Sequence, residues 1–320
     1  MINVLFLFGG IFLILFSANW LVDGASALAK KFGISDMIVG LTIVSFGTST
    51  PELAISIFSA LKGTTDIAIG NILGSNISNI LLVLGVSSII FPISIQLNTK
   101  WKEIPFSLLA IVVLSIMANR IFIESSPTVN IITRADGLIL LCFMIIFLVY
   151  TFGIVHQSGN YISHTTDLIT ISTRKATILV LIGLIGLFFG GKYLIAGAVE
   201  FAKTLGMSEK VIGLTIIAIG TSLPELATSV VAAFKKKSDI AIGNIIGSNI
   251  FNIFLILGIA AIIQPIHIST PINFDIGIAF LSSILLFIST ITFKKKSIDR
   301  TEGIIFISLY VCYITYSIAI

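Results

Sequence analysis

Two glutamates, Glu52 and Glu225, are the residues of this chain best placed to do chemistry. Most of the 15 acids, Asp23, Asp36, Asp66 and Asp239 among them, fall at the ends of apolar runs, whereas Glu52 and Glu225 lie deep inside them. An ionisable group at the centre of a membrane helix costs ~2.5–3.5 kcal/mol on insertion scales, so two at matched positions mark a functional site. Thr42, Ser45, Ser49, Glu52, Ser56 and Ser59 follow one another at spacings of 3, 4, 3, 4 and 3, which puts their oxygens on one stripe of a helix. Thr215, Ser222, Glu225 and Ser229 repeat the stripe, with Ala218 in the place of Ser45. Hydroxyls bonding their own backbone would explain single members of the stripe, though not its centring on an acid.

Pro51 and Pro224 precede the two glutamates. Each removes a backbone N–H and clashes with the carbonyl four residues earlier, so carbonyls around Ser45–Thr48 and Ala218–Thr221 are expected to leave the helix ladder. Free carbonyls at mid-membrane need a partner, and a cation is one. Asn71, Ser75 and Asn79 fall four apart on one helical face, as do Asn244, Ser248 and Asn252. Gly70, Gly74, Gly243 and Gly247 give small-residue edges that read as packing. Hard oxygen ligands with two carboxylates and no Cys or His suit Ca²⁺ or Na⁺. Two carboxylates neutralise one Ca²⁺ or two Na⁺, so one occupant should exclude the other.

The elements that position these residues come in two copies. Gly47–Gly85 and Gly220–Gly258 align without a gap at an offset of 173, with 26 of 39 positions identical. The similarity extends outward: Phe32–Asp36 matches Leu205–Glu209, and Pro92 matches Pro265. The 320 residues are 56% hydrophobic and only 11% charged, with mean hydropathy +1.11. A water-soluble domain carries about 25% charged residues, so lipid is the principal solvent. The net charge of +4 is no argument for nucleic acid. Cys142 and Cys312 sit in apolar runs and read as packing residues, with no disulfide or metal spacing.

Apolar runs of about 20 residues give ten spans, near 2–22, 37–61, 66–91, 104–122, 133–153, 175–195, 209–234, 239–264, 272–293 and 302–320. The fold expected is an all-α membrane protein of ten transmembrane helices in two inverted five-helix repeats, residues 1–153 and 175–320. Helices 2 and 7 are expected to be broken at the midplane. An odd number of spans per half forces the second half to enter upside down, the arrangement of many secondary transporters. A polar cytoplasmic linker, 154–174, joins the halves and carries His156 and His164. The first 22 residues lack the basic start of a signal peptide, and their counterpart lies mid-chain. Loops after odd-numbered spans hold 13 of the 19 Lys and Arg, which makes that side cytoplasmic and puts both termini outside.

The paired motifs, GTSTPE with GNILGSNISN and GTSLPE with GNIIGSNIFN, resemble those of the sodium/calcium exchanger family of the cation/calcium exchanger superfamily. The resemblance covers both halves, and the length is similar to that of compact prokaryotic members. It implies a cell-membrane antiporter with Na⁺ and Ca²⁺ as substrates, working by alternating access, with no cofactor and no obligate protein partner. Carried onto this sequence, it implies calcium ligation by Glu52, Glu225 and the Thr48 and Thr221 carbonyls. Flanking sodium sites would use Ser45, Ser49 and Ser75 on one side and Ala218, Ser222 and Ser248 on the other, with Asn79 and Asn252 closing the middle. Several family members, including potassium-dependent ones, carry Asp at the place of Asn252. The amide here removes a third negative charge and argues against potassium co-transport.

Two other readings compete. Buried glutamates exchange protons too, which allows an H⁺/Ca²⁺ exchanger, although related proton-coupled exchangers usually show GN-x-x-E in place of GTS-x-PE. Two carboxylates on two helices also allow an aspartyl-type intramembrane protease. Both are Glu within cation-ligand stripes, however, and no histidine lies in the core to serve as a base.

Overall fold

The computed structural model describes residues 2–120, 130–158, 171–204, 218–268, 272–292 and 297–319. In chain order the helices are α1 (Ile2–Phe32), α2 (Asp36–Thr48), α3 (Thr50–Leu61), α4 (Thr65–Ile90), α5 (Thr99–Ala118), α6 (Arg134–Ser158) and α7 (Thr173–Thr204). They continue as α8 (Ala218–Thr221), α9 (Leu223–Phe234), α10 (Ser238–Ile263), α11 (Asn273–Thr292) and α12 (Arg300–Ala319). Among the described residues eight helices are long and apolar enough to cross a membrane, or nine if α2 and α3, bent by 46°, form one span. The expected seventh span begins at 209, outside the described residues; its described part is α8 and the shorter apolar helix α9.

The inner helices are α4 and α10, with 72% and 83% of their spanning stretch buried, against 22–39% for the other spanning helices. Of the glycine edges expected to pack, Gly243 and Gly247 of α10 do let a neighbour approach closely, whereas a Cβ on Gly70 or Gly74 of α4 would meet nothing within 4 Å, so that edge is open in the first half. The outer faces are strongly apolar: Phe12, Phe16, Ile145, Val149, Leu181, Ile185 and Val311 are all more than 45% exposed. Apolar cover on this scale does not survive in water and fits hydrocarbon. Cys142 and Cys312 are also exposed rather than packed inside. An apolar run looks the same in sequence whether its face meets protein or lipid.

Two spans are longer than their apolar runs. The first was expected to end at 22, before Asp23, and the sixth at 195, before Gly197, yet α1 has 31 residues and α7 has 32. At 1.5 Å per residue each is roughly 46–48 Å long, more than a ~30 Å hydrocarbon core, which calls for tilt or protrusion. They pack lengthwise through glycines. A Cβ on Gly183 would stand 2.9 Å from the Leu21 nitrogen and the Ser17 carbonyl, and one on Gly10 would stand 2.6 Å from the Leu194 nitrogen. The region expected as linker, 154–174, is helical at its described edges, where α6 continues to Ser158 and α7 starts at Thr173. His164 lies outside the described residues.

The two halves interlock. Strand β1 (Ile93–Ser94) pairs antiparallel with β4 (Ser297–Ile298), and β2 (Ile131–Ile132) with β3 (Ile266–His267), so each two-stranded sheet takes one strand from each half. Helix α2 lies against α10 backbone to backbone: a Cβ on Gly243 would be 2.8 Å from the Met37 carbonyl, and one on Gly247 would be 2.8 Å from that of Leu41. At the end of this contact Lys237 pairs with Asp36 at 3.1 Å, Lys235 with Asp23 at 2.6 Å, and Gln96 Nε2 donates to Asp239 Oδ2 at 2.6 Å.

Candidate cation site

The glutamates sit just past two matched breaks. Ser49, with φ −82° and ψ 9°, separates α2 from α3, and Ser222, with φ −84° and ψ 5°, separates α8 from α9. Pro51 and Pro224 follow in the first turn of the new helix, where a missing N–H costs nothing because the first turn has no intrahelical acceptor. The break is narrower than the proline argument predicts. The Ser45 carbonyl still accepts from the Ser49 nitrogen at 3.0 Å, and that of Ile219 accepts from the Ser222 nitrogen at 3.1 Å, so carbonyls from Ser45 to Thr48 are not released as a block.

The fold gathers the expected site residues. Ser45, Thr48, Ser49, Glu52, Ser75, Asn79, Thr221, Ser222, Glu225, Ser248 and Asn252 are each at most 3% exposed. Only the backbone of Ala218 lies among the described features, as the first residue of α8; Thr215 lies outside them. Ser49 Oγ donates across the halves to Glu225 Oε1 at 2.9 Å. Ser75 Oγ donates to Glu52 Oε1 at 3.4 Å and, one repeat later, Ser248 Oγ to Glu225 Oε1 at 3.5 Å. Glu52 Oε2, Glu225 Oε2, Asn79 Oδ1, Asn252 Oδ1 and Ser222 Oγ are buried without a hydrogen-bond partner in the protein. Buried acceptors in that state are costly unless something else meets them, and carboxylate, amide and hydroxyl oxygens are the ligand types that hard cations take. Among the described residues no three His, Cys, Asp or Glu side chains cluster, so the site has two charges and is otherwise neutral oxygen.

Parts of the serine and threonine stripe turn out to serve the helix itself. Thr42 Oγ1 donates to the Ile38 carbonyl at 2.7 Å and Ser45 Oγ to that of Thr42 at 3.3 Å. Asn244 is fully buried, donating to Ser229 Oγ at 3.0 Å and accepting from Thr48 Oγ1 at 3.0 Å. Its counterpart Asn71 is half-buried, and its Nδ2 has no partner. The repeat is therefore not used identically in the two halves.

The spacing argument missed Asn76 and Asn249. Both are 1% exposed and lie between the expected ligands, on α4 and α10. Asn79 opens a π-helical stretch, Asn79–Leu84, and Asn252 lies in the matching one, Phe251–Leu257. Asn76 and Asn249 lie in the regular helix just before these widened turns, three residues ahead of Asn79 and Asn252, so a count by fours passes over them. The signal was present in the repeat itself, since the Ser-Asn pairs 75–76 and 248–249 recur intact.

The family model described as "Sodium/calcium exchanger protein" matches residues 2–153 and 175–319. The chain belongs to the sodium/calcium exchanger protein family. Among curated relatives of this exchanger-family chain, CaxA of Alkalimonas amylolytica is 37% identical over 324 residues, covering 98% of both chains. The sodium/calcium exchanger MaX1 of Methanosarcina acetivorans is 30% identical, covering 98% of this chain and 97% of its own. The solved structure of the sodium-calcium exchanger NCX_Mj soaked with 10 mM Na⁺ and zero Ca²⁺ superposes with a TM-score of 0.82 at 32% identity, covering 98% of each chain. The exchanger fold is thus shared at full length, and the chain is a multi-span membrane protein of a cation/Ca²⁺ exchange family.

Proposed function

We propose that this chain is a secondary antiporter that exchanges Na⁺ for Ca²⁺ by alternating access. The observation that carries the reading is the glutamate pair: each carboxylate is buried past a helix break, with Oε1 held by hydroxyl donors and Oε2 left to a substrate cation. Calcium takes 6–8 oxygens. Glu52, Glu225, the Thr48 and Thr221 carbonyls and the Asn79 and Asn252 amide oxygens would supply them. Sodium would use the same carboxylates with Ser45, Ser49 and Ser75 on one flank and the Ala218 carbonyl, Ser222 and Ser248 on the other. Two negative charges balance either one Ca²⁺ or two Na⁺, so the ions compete, which is the minimum that exchange requires. Ten spans in two inverted halves, 1–153 and 175–320, joined by a cytoplasmic linker, would place the breaks at the midplane and both termini outside. The GTS-x-PE motif favours Na⁺ over H⁺ as the coupling ion, in line with MaX1 and NCX_Mj, which are named sodium/calcium exchangers, while the name of CaxA specifies no ion.

In proteoliposomes, an imposed Na⁺ gradient is expected to drive ⁴⁵Ca²⁺ uptake, and Glu52→Gln or Glu225→Gln to reduce it at least a hundredfold. Uptake that survives either substitution removes the site assignment. Uptake driven by a pH gradient alone in Na⁺-free buffer would replace Na⁺ by H⁺.

A further inference from the structure

We infer that Asn76 and Asn249 are positioning residues that fix which end of the Asn79 and Asn252 amides faces the cation. This rests on the reading of Asn79 and Asn252 as ligands and goes beyond it. The argument starts from two atoms whose chemistry is unambiguous, the backbone carbonyl oxygens of Asn76 and Asn249, which can only accept. Asn76 Nδ2 donates to the Asn249 carbonyl at 3.4 Å, and Asn249 Nδ2 donates to the Asn76 carbonyl at 3.4 Å. Turning either amide over would set oxygen against oxygen, so each is held with its NH₂ on the opposite backbone. The free end of each side chain is then an oxygen.

Those oxygens face the ligand amides. Asn79 Nδ2 donates to Asn249 Oδ1 at 3.0 Å, and Asn252 Nδ2 donates to Asn76 Oδ1 at 2.9 Å. With the NH₂ ends engaged, Asn79 Oδ1 and Asn252 Oδ1 are the ends left buried without a partner. An asparagine offers a cation either an oxygen or a repelling NH₂, and the two ends are nearly equal in size. The clasp removes that choice by a chain of donors and acceptors beginning at the main chain. Adding 173 to each residue of one half of the network reproduces the other half, so α4 and α10 orient each other's ligands.

The network also predicts a coupling that a merely structural role would not produce. Asn249→Leu removes the acceptor that holds Asn79, and Ca²⁺ affinity of the purified exchanger, measured by calorimetric titration, is expected to fall about tenfold or more as one oxygen ligand is no longer held toward the ion. In an Asn79→Asp background both ends of the ligand are oxygens and nothing is left to orient. Adding Asn249→Leu there is expected to change affinity less than about threefold. Asn249→Gln keeps both the acceptor toward Asn79 and the donor toward the Asn76 carbonyl and is expected to retain clearly more affinity than Asn249→Leu, which keeps the test sound if the leucine variant folds poorly. Asn76→Leu should behave in the same way through Asn252. Equal losses in the Asn79 and Asn79→Asp backgrounds, an Asn249→Gln loss as large as that of Asn249→Leu, or no loss with Asn249→Leu overturns the inference. If Asn79→Leu itself leaves Ca²⁺ affinity intact, the ligand reading has failed instead; if Asn79→Leu weakens binding and Asn249→Leu does not, only the positioning role has.

Discussion

At the scale of single residues, the site is a problem of unmet acceptors. A buried carboxylate holds its charge when donors and cations surround it, and the protein donors reach only one oxygen of each glutamate. The shortest of these bonds comes from the other half of the molecule, Ser49 to Glu225 at 2.9 Å. Hydrogen bonds to charged groups contribute about 1.5–3 kcal/mol. Ser49→Ala is therefore expected to weaken Ca²⁺ binding about tenfold or more, read from uptake at graded Ca²⁺ concentrations. An unchanged half-saturation would show that Glu225 does not need this donor. The two glutamates themselves were legible in the sequence, because an acid in an apolar run is expensive wherever the chain folds. The donor from Ser49 was not, since spacing along one helix says nothing about a carboxylate 176 residues away.

At the scale of elements, close approach of backbones matters more than apolar area. Helix α2 lies against α10 because Gly40, Gly243 and Gly247 carry no side chain there. A methyl on Gly243 would meet the Met37 carbonyl at 2.8 Å and the Leu41 nitrogen at 3.0 Å, neither of which can rotate away. Gly243→Ala is expected to cost about 1–3 kcal/mol and to lower the thermal unfolding midpoint of the detergent-purified protein, while Gly277→Ala, with nothing within 4 Å, should leave it nearly unchanged. Equal midpoints for the two variants would contradict the packing. The helix breaks were anticipated from Pro51 and Pro224. Their narrowness was not, because a proline at the first turn of a new helix leaves the preceding carbonyls free to bond elsewhere. Helices α1 and α7 overran their expected ends for a related reason: a charge or a glycine bounds an apolar run without stopping a helix.

At the scale of the whole molecule, the proposed orientation in the membrane rests on the charge distribution. Thirteen of 19 basic residues fall on the side read as cytoplasmic, and the Lys235–Asp23 and Lys237–Asp36 pairs lie at that end. With Cys142 and Cys312 replaced by alanine, Lys62→Cys should react with a membrane-impermeant maleimide on intact cells, and Lys175→Cys only after permeabilisation. The reverse pattern would invert the proposed topology. Both lysines are exposed, so neither is covered by the rest of the protein.

The amino-acid order alone was enough for the solvent, the duplication and the acids, because each rests on a local quantity: hydropathy in a window, identity at a fixed offset, a charge among apolar neighbours. Which oxygens converge is a property of how the halves meet. Ser49 reaching Glu225, the asparagine clasp between α4 and α10, and the unequal use of Asn71 and Asn244 all cross the 173-residue offset. Each half carries an almost complete set of ligand types, and each relies on the other to orient its own ligand amide, Asn79 or Asn252. Only packing one half against the other places a backbone carbonyl where it can turn an amide and so decide what a cation meets.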